Sequence, residues 1–209
     1  MNKSMSYLMG VSLTILLSII KPANAGAIFT FDQPRFSYTN NSWEFAFNFE
    51  VLDTVTVTGL GYFSDPRTGM ADEHDVALFD SEGNLLATAT IDNTNDLFQF
   101  FRWERVSDLI LPPGNYQVVG VSGSDRYTWS DINVVFDPNI SYISYSWRVD
   151  NNGTADYLNF TRPDLRYVYG FRGPNVFLGN FREITSVVEP PTILMLVTFI
   201  FAFTFIRKK

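Results

Sequence analysis

Trp43-Glu44-Phe45-Ala46-Phe47-Asn48-Phe49-Glu50-Val51 is the stretch whose reading decides the fold. In an extended chain successive side chains point to opposite faces. Trp43, Phe45, Phe47, Phe49 and Val51 therefore share one face, while Glu44, Asn48 and Glu50 lie on the other. A slip of one residue would turn all five apolar side chains outward, so the pairing register is strongly fixed.

The pattern continues on both sides of this segment. Residues 54–58 alternate Thr and Val, β-branched residues that favour a pleated surface. Residues 75–79 and Leu85–Ile91 flank Asp80-Ser81-Glu82-Gly83-Asn84 and predict a hairpin. Residues 98–111 form a long aromatic strand expected to bend, and Pro112-Pro113-Gly114-Asn115 ends it with strong turn chemistry. Further strands are expected at 116–121, 133–136, 141–149, 157–160, 167–172 and 176–181. No segment of the body between the two ends sustains a helical period. About ten short strands at roughly 8–12-residue spacing predict an all-β chain, a single β-sandwich or jelly-roll domain.

The two ends read as addresses rather than as fold. Lys3 precedes an apolar stretch over residues 7–20, and Ala23-Asn24-Ala25 places small residues at the −3 and −1 positions of a signal-peptidase site. Residues 1–25 are expected to be a signal peptide cut after Ala25. At the other end, Val187-Val188-Glu189-Pro190-Pro191-Thr192 leads into an uncharged apolar run over 193–206, and Arg207-Lys208-Lys209 closes the chain. Proline fits the first turn of a helix. A helix over residues 192–206 would be roughly 22 Å long, short for a span but usable if the terminal cations reach the interface. Basic residues mark the cytoplasmic side, so the preceding body is expected outside it. The expected organisation is thus 1–25 signal peptide, 26–185 β-sandwich ectodomain and 186–209 linker, transmembrane helix and basic tail.

Composition narrows the chemistry of the body. Residues 26–189 carry all 22 acidic residues and ten basic ones, every one arginine, for a net charge of −12. Such a body is not expected to bind nucleic acid, whose recognition needs a basic face. The chain has no cysteine, which excludes disulfides, zinc thiolates and cysteine nucleophiles. In the body, four N-x-S/T triplets begin at Asn40, Asn139, Asn152 and Asn159 and read as loop polarity.

Residues 64–75 form the densest polar segment, with Asp65, Asp72, Glu73, His74 and Asp75 and a turn-permitting Gly69. Calcium takes about six to eight oxygens, often several from one loop. Asp65, Asp72, Glu73 and Asp75 are therefore candidate calcium ligands, set against the plainer reading of a solvated acidic loop. His74 is the single histidine, and no G-x-S-x-G elbow accompanies it; it reads as a side chain that ties the loop. A second oxygen-rich loop, residues 150–156, contains Asn152-Gly153, which reads first as a tight turn. No carboxylate pair stands out by spacing, so no catalytic residue is assigned. Tyr127 and Trp129 sit in the polar stretch 122–131 and are expected to be exposed, with ring faces suited to sugars.

The tail resembles that of the PEP-CTERM proteins of Gram-negative bacteria, with Val188-Glu189-Pro190 where the family has Pro-Glu-Pro. In order, residues 56–63, 69–80 and 83–90, the turn Pro112-Pro113-Gly114-Asn115-Tyr116, and residues 173–181 resemble an ectodomain that recurs in that family. The resemblance implies an exosortase acting at Glu189-Pro190, a surface or extracellular location outside the inner membrane, and a non-catalytic association with exopolysaccharide. A calcium-dependent carbohydrate-binding module and a polysaccharide-active hydrolase are the other readings in view.

Overall fold

The structure, a computed structural model, describes residues 26–159 and 170–181. The expected signal peptide with Ala25, the sorting motif Glu189 and Pro190, and the apolar helix lie outside the described residues. So do Phe160 and the first residues of the strand expected over 167–172.

The described chain is all-β. In chain order the strands are β1 (Gly26–Ala27), β2 (Phe29–Thr30), β3 (Phe36–Tyr38), β4 (Trp43–Val51) and β5 (Val55–Phe63). There follow β6 (His74–Asp80), β7 (Leu85–Ile91), β8 (Asp96–Phe98), β9 (Phe101–Leu111) and β10 (Gly114–Val121). The last are β11 (Tyr127–Trp129), β12 (Val135–Phe136), β13 (Ile140–Val149), β14 (Phe171–Arg172) and β15 (Pro174–Leu178). Two five-stranded antiparallel sheets, ordered β1-β15-β5-β9-β8 and β13-β4-β10-β6-β7, share one core in a sandwich-like arrangement. A small sheet, β14-β11-β3, extends beyond them, and β12 pairs with β2.

The apolar face of β4 explains the layout. Phe47, Phe49 and Val51 enter the core between the sheets, with Tyr116 and Val118 of β10 paired to Phe49 and Phe47. Further along the same face, Phe45 leaves that core and meets Tyr127 of the small sheet at 4.5 Å between ring centroids. One alternating strand thus joins the sandwich to the aromatic sheet described below.

The second face of β4 is not left to water. Glu44, Ala46 and Asn48 are buried, whereas Glu50 is exposed. Ala46 packs with Ala77, Phe79, Val119 and Val121 against Ala155 and Leu158. Residues 155–158 therefore form a strap over the sheet. Gln117 holds it at both hydrogen-bonding groups of one residue: Leu158 N–H donates to Gln117 Oε1 at 2.7 Å, and Gln117 Nε2 donates to the Leu158 carbonyl at 2.9 Å. Asn48 completes a buried chain by accepting from Gln117 and donating to Ser144 and Ser146. Tyr157, Leu158 and Asn159 are not in a strand, contrary to expectation; both backbone groups of Leu158 bond the Gln117 side chain rather than a ladder.

Two turns follow their sequence signals. In Asp80–Asn84 the Asp80 carboxylate accepts from the Glu82 and Asn84 amides, and Gly83 takes a φ of 84° that favours glycine. The bend expected within 98–111 is a two-residue hairpin: Phe98 pairs with Phe101, and Gln99 adopts φ 56°.

Candidate functional site

The small sheet gathers rings from distant parts of the chain. Antiparallel pairing sets Trp129 opposite Phe36, Tyr127 opposite Tyr38, and Phe171 opposite Trp129. Directly paired residues share a face, so five aromatic side chains lie on one side of three short strands. Trp129 is 5.7 Å from Phe36, 6.2 Å from Tyr38 and 6.1 Å from Phe171, centroid to centroid. Tyr38, Asn40, Tyr127, Trp129 and Phe171 line a shallow hollow of about 240 Å³.

Burial falls off across this face. Tyr127 is buried against Phe45, and its hydroxyl donates to Asn40 Oδ1 at 3.0 Å. Phe171 and Trp129 are half-buried, while Phe36 and Tyr38 are 46% and 38% exposed at the sheet edge. The expectation that Tyr127 is exposed is therefore corrected: its ring fills the space above Phe45. Trp129 keeps an accessible part. Phe36 and Tyr38, which sequence reasoning did not single out, are the most exposed rings of the face.

The opposite face of the small sheet is anchored by charge. Arg172 Nη1 donates to Asp131 at 2.7 Å, both side chains are fully buried, and Thr128 donates to the same carboxylate. The Arg172 guanidinium also lies 5.6 Å from the Phe29 ring centroid and 5.2 Å from that of Tyr145. Burial pushes the Asp131 carboxyl above the usual carboxylate range, against the pull of Arg172 and Thr128.

On this side of β3, Ser37 lies at the junction of two arginines. Arg67 Nη2 donates to Ser37 Oγ, and Arg126 Nη1 donates to the Ser37 carbonyl at 3.3 Å. Arg35 and Arg67 line a neighbouring hollow of about 460 Å³ that also includes Phe36, Pro66 and Phe100.

The candidate calcium ligands do not converge. Asp65 is buried and accepts from Arg67 N, Nε and Nη2 and from Ser37 Oγ. The Arg67 bonds hold its carboxyl well below the usual carboxylate range. Asp72 Oδ2 accepts from Ser124 N and Oγ, both at 2.6 Å, which lowers its pKa. Asp75 Oδ2 accepts from Ala155 N at 2.8 Å and thereby ties the strap. Glu73 is exposed. Among the described residues no group of three or more His, Cys, Asp or Glu is arranged to hold a metal ion.

His74 links the same loop to the next. It is fully buried, with Nδ1 2.9 Å from the Val121 carbonyl and Nε2 3.1 Å from Asp125 Oδ2. That Asp125 oxygen also accepts from the Ala71 and Asp72 amides. With Asp72 bonded to Ser124, residues 71–74 and 122–125 are tied in both directions. In the loop 150–156, Asp150 Oδ1 accepts from the Asn152 and Gly153 amides and Gly153 takes φ 74°, a side-chain-capped turn. No protein-family model matches the chain, and no curated protein matches it in sequence.

Proposed function

We propose that this chain is an exported, non-catalytic surface or extracellular-matrix protein that associates with exopolysaccharide through the aromatic face of its small sheet. The observation that carries this reading is the graded face of Phe36, Tyr38 and Trp129, exposed at an edge and backed by Phe171 and Tyr127. Rings fixed by packing offer flat apolar surfaces to sugar C–H groups without losing side-chain freedom on binding. The outer side of the β4 sheet is covered in part by the strap of residues 155–158.

The body is a jelly-roll-like sandwich in this reading, and the ends deliver it. Cleavage after Ala25 releases it outside the inner membrane of a Gram-negative cell. The Glu189-Pro190 motif and apolar helix engage the membrane and an exosortase, for processing or for retention. The carboxylates most sheltered from water, Asp65 and Asp131, each face an arginine, an arrangement that favours a binder over a two-carboxylate hydrolase.

Retention of the full-length chain on immobilised polysaccharides tests the reading. Binding to at least one polymer is expected, with loss of retention in Phe36→Ala and Tyr38→Ala at unchanged melting temperature. A chain that passes every polymer unretained would sink the proposal. The mass of the protein recovered from the cell exterior tests the delivery: it is expected to begin at Gly26.

A further inference from the structure

We infer that the glycan taken by this face is anionic, with Arg35, Arg67 and Arg126 receiving its carboxylates beside the ring of Phe36. This rests on the polysaccharide reading above. The body carries ten arginines against 22 acids, yet three of the ten meet around one three-residue strand. Arg67 and Arg126 both donate to Ser37, and Arg35 lies two positions before it on the chain. Arg35 is exposed, and among the described residues neither it nor Arg126 forms an ion pair. The side chain of Arg67 is 65% exposed, but its orientation is set by Asp65 through Nε at 3.0 Å and Nη2 at 2.7 Å.

A guanidinium offers five donors in a planar fork that matches a carboxylate. Arg67 is thus preorganised with donors still available, and Arg35 and Arg126 bring charge with no counterion among the described residues. The acids nearby offset this only in part. Asp65 is turned inward with 1% of its side chain exposed; Asp32 lines the same hollow and sets one negative charge against the three arginines, its carboxylate also accepting from Asn133 at 2.6 Å. The hollow lined by Arg35 and Arg67 adjoins the aromatic face through Phe36, whose ring is 6.4 Å from that of Tyr38. Ser37 lies on the face of β3 opposite Phe36 and Tyr38, so a polymer crossing this edge strand meets apolar rings on one side and cations on the other. Elsewhere the acidic body repels a polyanion, which confines contact to this edge.

Affinity electrophoresis of the full-length chain provides the test, with polygalacturonate, its carboxyl-reduced form and single-stranded oligothymidylate as probes. Polygalacturonate is expected to bind roughly tenfold more tightly than the carboxyl-reduced polymer and to weaken as salt rises from about 50 to about 500 mM. The pair Arg35→Gln/Arg126→Gln, at an exposed and a half-buried position, is expected to abolish that preference with the melting temperature unchanged. Salt sensitivity of the wild-type chain gives the same answer without mutation. Equal binding of the two polygalacturonate forms would overturn this inference and leave the glycan reading standing. Binding of neither these nor any other polysaccharide would overturn both. Equally tight binding of oligothymidylate would overturn the inference by assigning the arginines to phosphates.

Discussion

The His74 imidazole lies flat on the Tyr62 ring, with centroids 4.3 Å apart and an interplanar angle of 1°. Tyr62 is fully buried, and an added Cβ at Gly120 or Gly173 would come within 2.9 Å or 2.4 Å of its atoms. The ring is thus confined by two glycines and a histidine. Its hydroxyl is buried with no hydrogen-bond partner among the described residues, and burial holds its pKa well above the usual phenol range. An unpaired buried hydroxyl is a cost that phenylalanine avoids at the same ring position. Tyr62→Phe is expected to stabilise the fold by about 1 kcal/mol, read as a higher urea midpoint at unchanged slope. A lower midpoint would show that the hydroxyl has a partner.

His74→Ala is expected to do the reverse. It removes the stacked ring together with the ring-nitrogen contacts to the Val121 carbonyl and the Asp125 carboxylate. The combined loss is about 3 kcal/mol. Denaturant unfolding measures it, and a change within about 0.5 kcal/mol would contradict the tie between the two loops.

Asp65 gives the fold a defined acid sensitivity. Its carboxylate is stabilised in the folded state by Arg67 and Ser37, so its folded pKa lies below the unfolded one. The resulting stability is fully present above the ordinary carboxylate pKa of about 4 and is lost as pH falls toward the folded value. Asp65→Asn is expected to cost about 3 kcal/mol at pH 7. The gap between the two proteins should narrow as pH drops below about 4. A gap independent of pH would show that packing, and not the charge, accounts for the loss.

Gln117 is a direct handle on the strap. Gln117→Ala removes both bonds to Leu158 and the donor to Asn48. A destabilisation of about 2 kcal/mol is expected, together with faster hydrogen exchange at the Leu158 amide. Exchange there as slow as in the wild-type chain would mean that the apolar contacts of Ala155 and Leu158 hold the strap unaided.

What the sequence made legible follows a physical division. β4, the Asp80–Asn84 turn and Leu85–Ile91 could be read because each signal is local: an alternation or a turn residue acts on its immediate neighbours. The small sheet could not. Phe36-Ser37-Tyr38 and Tyr127-Thr128-Trp129 are too short to show a period, and their face exists only through pairing between distant segments. The same holds for Arg35, Arg67 and Arg126, whose gathering around Ser37 leaves no trace in composition. The two-sided burial of β4 was hidden because Glu44 and Asn48 read as an outward face; Arg148 pairs with one and Gln117 with the other. The acidic loop misled for a related reason. His74 and Asp75 are neighbours in sequence, but β6 begins at His74, and alternation sends the imidazole to Tyr62 and the carboxylate to Ala155.

That separation bears on calcium. A site needs several oxygens converging on one point at about 2.3–2.6 Å, with lone pairs available to the ion. Both Asp65 oxygens accept from Arg67, Asp72 Oδ2 accepts twice from Ser124, and Asp75 Oδ2 accepts from Ala155. Bringing these three carboxylates together would break the ties among residues 71–74, 122–125 and 155, at a cost that calcium binding would have to exceed. Millimolar calcium is therefore expected to leave the melting midpoint where a chelator leaves it. A ligand specific to the folded state stabilises by RT ln(1 + [L]/Kd), about 2.7 kcal/mol at a hundredfold excess over Kd, which a melting scan resolves easily. A calcium-dependent rise of that size, abolished in Asp72→Asn, would show that the loop rearranges into a metal site and that these carboxylates do more than fasten it.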